Sequence, residues 1–147
     1  MRSLTIKKET WPLEEPFVIS RVAMEKSYVL VVELREGNHI GRGECEPHES
    51  DASYMEEVAN KIESFREKIE AGLTRNELNE ILPSGPARNA IDCAMWDLEA
   101  KKLGKRPWEI AGITLEQPLV TAYTICIGTP EEMASKAAKN SHRKLLK

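Results

Sequence analysis

At 147 residues, with 41% hydrophobic and 31% charged residues, the chain suits one ordinary domain with a real core. A net charge of -3 leaves no cationic excess to neutralise phosphates, which argues against nucleic acid as a partner. No apolar run approaches the ~20 residues that span a bilayer, and Met1-Arg2-Ser3-Leu4 does not open a secretory signal, so no membrane and a cytoplasmic location are expected.

The first forty-odd residues read as strands, with apolar stretches at 4–6, 17–19 and 29–34, the last strongly β-branched. Glu36-Gly37-Asn38-His39 turns the chain into 40–46, and the pair reads as a hairpin of an antiparallel sheet. Ser53-Tyr54-Met55-Glu56 has the form of a capping box, and Val58, Ile62, Phe65 and Ile69 follow at helical spacing, which predicts one amphipathic helix up to Gly72. A second box, Thr74-Arg75-Asn76-Glu77, opens a short helix that Pro83 ends. A third helix is expected from about 86 to 102, with Ala90, Ile91, Ala94, Met95 and Leu98 on one face. Its small residues permit close packing against neighbours. The stretch from Gly104 through Trp108, Gly112 and Pro118 has linker character, and 120–127 reads as a fresh strand. Thr129-Pro130-Glu131-Glu132 then starts a helix, with a threonine cap, proline at the first position and Glu132 closing a capping box. Strands, then helices, then strand, helix and the start of a strand predict an α+β domain over 1–117. The opening unit of a parallel α/β domain is expected over 118–147. One such unit cannot bury both faces of a sheet, so a larger parent protein is expected.

Two motifs carry a resemblance. Gly41-Arg42-Gly43-Glu44 with Pro47 resembles the G-x-G-E signature of the enolase-superfamily N-terminal capping domain. Arg88-Asn89-Ala90-Ile91-Asp92-Cys93-Ala94-Met95-Trp96-Asp97-Leu98, with Lys101, Gly104, Pro107 and Gly112, is similar to its helix motif and is the more specific match. Trp11-Pro12-Leu13, Pro16-Phe17, Thr121-Ala122-Tyr123-Thr124 and Gly128-Thr129-Pro130 look most like the dipeptide epimerases. The resemblance implies that 1–117 is a capping domain over the mouth of a (β/α)-barrel and that 118–147 is the start of that barrel, truncated, since a barrel alone takes about 250 residues. It also implies a Mg²⁺-dependent isomerase that removes the proton α to a carboxylate of a dipeptide and returns it to the opposite face. Other branches, the muconate cycloisomerases and o-succinylbenzoate synthases, share the helix motif, and a free-standing binding module without catalysis is the reading from a different class. A homo-oligomer is allowed.

Site residues follow from the same resemblance. Lys147 is expected to be the first, supporting lysine of a K-x-K strand motif, whose two lysines alternation puts on one side. Like charge beside it would lower the pKa of the base. Neither that base nor the Mg²⁺ ligands are expected within this chain, so catalysis by the chain alone is not. Thr124 is expected to contact substrate. The loop between Phe17 and Tyr28 helps choose the substrate side chain, and Met24 stands where Ala-Glu epimerases carry an arginine, which alone could pair bidentately with a glutamate carboxylate. Arg21 and Lys26 are close by in sequence. The loop Pro47-His48-Glu49-Ser50-Asp51 is shorter than is common in the family.

Other residues read as structural. Glu44, Glu46 and His48 alternate, but Pro47 breaks the strand and no metal site is expected there. His39 and His142 read as solvated, and Asp92 and Asp97, five apart on a helix, do not form an acid/base pair. The stretch 61–68 reads as a solvated helix face. Cys45, Cys93 and Cys126 read as buried thiols, with Cys93 in the helix core.

Overall fold

The structure, a computed structural model, describes residues 1–47, 52–114 and 117–147. The chain divides into two compact units, Met1–Trp11 with Tyr28–Thr114, and Pro12–Ser27 with Leu115–Lys147. Three strands, β1 (Arg2–Ile19), β2 (Val22–Glu36) and β3 (His39–Cys45), form one sheet in that order. The separate strands expected at 4–6 and 17–19 are thus one continuous strand. Polar residues such as Lys7, Lys8, Glu14 and Glu15 hide it from apolar patterning, because pairing with β2 rather than burial defines it. The expected loop between Phe17 and Tyr28 is correspondingly a hairpin, with its turn at Ser20 and Arg21. The β2–β3 hairpin is as expected, antiparallel from Leu30↔Cys45 to Glu36↔His39, with Gly37 at φ +60° in the turn.

Helices α1 (Ala52–Glu63), α2 (Arg66–Glu70), α3 (Arg75–Ile81), α4 (Pro86–Leu103) and α5 (Pro107–Ile110) complete the first unit. Three sequence expectations need correction. The first helix begins at Ala52, so Ser53 lies inside it rather than capping it. It also breaks at Ser64 and Phe65: the Ser64 hydroxyl donates to the Lys61 carbonyl at 2.7 Å, and a side chain bonded to its own backbone competes with helix continuation. Beyond the break, Arg66 donates to the Leu4 carbonyl at 2.7 Å and Glu70 accepts from the Leu4 N–H at 3.0 Å. These bonds satisfy the outer edge of β1 and fix α2 beside it. Lastly, the stretch expected to be a linker contains α5, entered through Pro107 and capped by Glu109, which accepts from the Arg106 N–H at 2.6 Å. The short loop noted at 47–51 lies, apart from Pro47, outside the described residues.

The core of this unit forms where Leu30, Val32 and Leu34 on one face of β2 meet Ile62, Leu78 and the α4 stripe of Ala90, Ile91, Ala94 and Leu98. Contact between β3 and α4 explains both family-like motifs. A Cβ on Gly41 would fall 2.2 Å from the Ala94 carbonyl oxygen, and one on Gly43 would fall 2.2 Å from that of Ala90. Backbone therefore packs on backbone, with glycine on the strand and alanine on the helix. Side chains of α4 also satisfy β3, an outer strand of the sheet. Lys101 Nζ donates to the Ile40 carbonyl at 2.8 Å, Asp97 accepts from the Arg42 N–H at 2.7 Å, and Asn89 Nδ2 donates to the Glu44 carbonyl at 3.0 Å. Capping an edge in this way blocks its pairing with another chain. Cys93 corrects its expectation: it is exposed, because it lies off the buried stripe formed by Ala90, Ala94 and Leu98, whereas Cys45 and Cys126 are buried as expected. Among the described residues no helix is long and apolar enough to cross a membrane.

Candidate functional site

All four sequence-predicted site residues, Arg21, Met24, Thr124 and Lys147, fall in the second unit. Its helix α6 (Pro130–Lys139) starts as the sequence predicts. The Thr129 hydroxyl accepts from the Glu132 N–H at 3.2 Å, and the Glu132 carboxylate accepts from the Thr129 N–H at 2.8 Å. Hydrogen bonding from the Thr129 N–H, and then from its hydroxyl, holds the Glu132 carboxyl below the usual carboxylate range.

The strand expected at 120–127 is present only as a parallel bridge, Tyr123↔Leu146. Its bonds are Tyr123 N–H to the Leu145 carbonyl at 3.0 Å, Lys147 N–H to the Tyr123 carbonyl at 2.9 Å, and Ile125 N–H to the Lys147 carbonyl at 2.9 Å. A parallel ladder needs partner residues evenly along it, and only Leu145 to Lys147 supply them. The register has a direct consequence. With Tyr123 beside Leu146, Thr124 stands beside Lys147, and the two share the face opposite to Tyr123 and Leu146. Thr124 is half-buried and Lys147 exposed, while Cys126, next along the same face, is buried. The Arg143 guanidinium stacks over the Tyr123 ring at 4.2 Å and holds the return loop against the strand.

The hairpin Pro12–Ser27 is bonded to this assembly within the unit. The Ile127 N–H donates to the Val18 carbonyl at 2.9 Å, and Lys136 of α6 pairs with Glu15 at 2.9 Å. Hydrogen bonding to Glu15 raises the Lys136 ammonium above its ordinary range. Arg21 in the turn is exposed, and Met24 just beyond it is half-buried. Thus the structure makes Thr124 and Lys147 neighbours in register and places Arg21 and Met24 on a hairpin bonded to the end of the same segment. Sequence reasoning did not find Glu15, Lys136 or the Val18–Ile127 bond. Nothing local in the sequence signals a pairing between residues so far apart.

The remaining candidates behave as structure. His39 and His142 are exposed. Asp97 serves Arg42 and Lys101, the latter at 2.6 Å. Glu44 and Glu46 are exposed and His48 lies outside the described residues. Among the described residues no group of three or more His, Cys, Asp or Glu could hold a metal ion. The described residues therefore offer no such group for Mg²⁺, and no step is derived through it.

Residues 1–121 match the model of the mandelate racemase / muconate lactonizing enzyme N-terminal domain. The L-Ala-D/L-Glu epimerase of Escherichia coli K12 is 45% identical over 142 residues, which are 94% of this chain and 43% of that protein. An enolase family member from Agrobacterium tumefaciens with homology to dipeptide epimerases, solved with sodium and L-Ala-L-Glu bound and its loop ordered, superposes with a TM-score of 0.87. It is 42% identical, and the match covers 99% of this chain and 45% of that one. The fold is also shared, at a TM-score of 0.77 and 24% identity, by a dipeptide epimerase from Methylococcus capsulatus complexed with Mg and L-Arg-D-Lys, covering 98% of this chain and 44% of that one. The chain thus spans less than half the length of these relatives.

Proposed function

The chain belongs to the mandelate racemase / muconate lactonizing enzyme family, and on that premise we propose that it is the capping domain and first β/α unit of a dipeptide epimerase. The protein that carries it would exchange the α-proton of a dipeptide with inversion. The metal chemistry that such an enzyme needs, stabilisation of the extra negative charge that develops on the carboxylate oxygens when the α-carbon loses its proton, would be supplied by Mg²⁺ held by ligands outside the described residues. The observation that carries the reading is the register Tyr123↔Leu146, which sets Thr124 and Lys147 side by side on one face. Thr124 would offer a hydroxyl to the substrate. Lys147 would be the supporting ammonium of the K-x-K pair, whose positive charge lowers the pKa of a neighbouring lysine base. Arg21 and Met24 would meet the substrate side chain.

Met24 has no charge to pair with a glutamate carboxylate, so preference for an acidic second residue would rest on Arg21 and Lys26. The test is α-proton exchange in D₂O with Mg²⁺ over Ala-Glu, Ala-Leu and Ala-Lys, followed by NMR. It is run on this chain and on the protein purified from its source, whose intact mass is compared with 16.6 kDa. The expected outcome is a mass more than twice that value, exchange by the full protein and none by the 147-residue chain. Exchange catalysed by the isolated chain, or a full protein inert toward every dipeptide, overturns the reading. Met24→Arg in the full protein is expected to shift the preference toward Ala-Glu by about tenfold, the scale of one charged hydrogen-bonded contact.

A further inference from the structure

We propose that Glu15 and Lys136 are positioning residues that bias the orientation of the hairpin Pro12–Ser27 toward the segment bearing Thr124. The inference rests on the reading of that hairpin as the part that meets the substrate side chain.

Between the hairpin and the segment, the Val18 carbonyl accepts a backbone bond from the Ile127 N–H at 2.9 Å. The Glu15–Lys136 pair supplies a further contact, three residues earlier on the same arm and one element away on α6. Lys136 is itself fixed, because α6 begins at the Thr129–Glu132 capping box directly after the segment that ends at Ile127. The pair therefore links the hairpin that carries Arg21 and Met24 to the β/α unit that carries Thr124. Both side chains remain partly open, 50% for Glu15 and 34% for Lys136, so the link is of the weak, salt-screened kind that biases an orientation without locking it.

Two readouts on the 147-residue chain test this without any dipeptide: hydrogen exchange at the Ile127 amide, and tryptic cleavage of the Arg21–Val22 bond. Glu15→Lys and Lys136→Glu should each raise both rates about two- to fivefold, the range of an exposed pair. The double charge swap and the conservative Lys136→Arg should return them to near the parent value. The lysine introduced at position 15 precedes Pro16, a bond trypsin does not cut, so it adds no competing site. Exchange at the Lys147 amide, bonded to the Tyr123 carbonyl, should not change. The proposal is overturned if the single variants leave the Ile127 and Arg21 rates unaltered, if the swap fails to restore them, or if the Lys147 amide loosens in parallel. Because neither readout uses catalysis, an absent epimerase activity would count against the proposed function and leave this result standing.

Discussion

At the scale of single residues, the most constrained positions are glycines rather than charged groups. Gly41 and Gly43 admit no side chain, because the carbonyl oxygens of Ala94 and Ala90 occupy the place a Cβ would take. Backbone cannot swing aside as a rotamer can, so Gly43→Ala is expected to destabilise the chain by about 3 kcal/mol, the upper end of ordinary overpacking. A lowered urea midpoint with an unchanged slope would be the signature. Asn89, Asp97 and Lys101 belong to the same contact, and their polar atoms go to the backbone of β3 rather than to a ligand. The motif that most specifically resembles the family is thus a packing motif. It identifies the fold and says nothing of the substrate.

At the scale of elements, the local signals that proved reliable are those whose chemistry is complete within four residues. The Thr74 cap is one: its hydroxyl accepts from the Glu77 N–H at 3.3 Å while the Glu77 carboxylate accepts from the Thr74 N–H at 2.8 Å. Thr74→Ala should cost about 1 kcal/mol, read as a fall in Tm of several degrees for a domain of this size. The Ser53 box has the same letters, yet α1 already starts at Ala52, so Ser53 lies inside the helix. The break between α1 and α2 was equally illegible, because the apolar spacing of Val58, Ile62, Phe65 and Ile69 runs straight through it. What fixes the second piece is the pairing of Arg66 and Glu70 with Leu4, residues more than sixty positions away.

At the scale of the whole molecule, carboxylates tied to cations or backbone make stability depend on pH. Hydrogen bonding to Arg42, reinforced by Lys7, holds Glu33 below the usual carboxylate range; Lys102, with Arg2, does the same for Glu36; and the Leu4 N–H, with Arg66, does so for Glu70. A depressed native pKa means that the unfolded state binds protons first as the pH falls. The stabilisation is therefore complete at neutral pH, starts to decline near about pH 5, and is lost as these groups protonate in the native state. Denaturant midpoints measured from pH 7 down to pH 3 should fall, and Glu33→Gln should be less stable at pH 7 and show a shallower decline.

By itself the sequence determined the α+β class, the β2–β3 hairpin, helices α3, α4 and α6, and the family-like motifs. These rest on patterns within one element: alternation, helical spacing, caps and turn residues. It also singled out Thr124 and Lys147, though not that they are neighbours, since that depends on one parallel register between segments twenty-odd residues apart. Only the tertiary structure decided the full length of β1, whose polar residues carry no strand pattern, and the exposure of Cys93. It alone decided the two bonds that join the hairpin to Ile127 and Lys136. The physical reason is the same throughout: a hydrogen bond or ion pair between distant residues leaves no periodic trace in the chain and exists only once folding has brought its partners together.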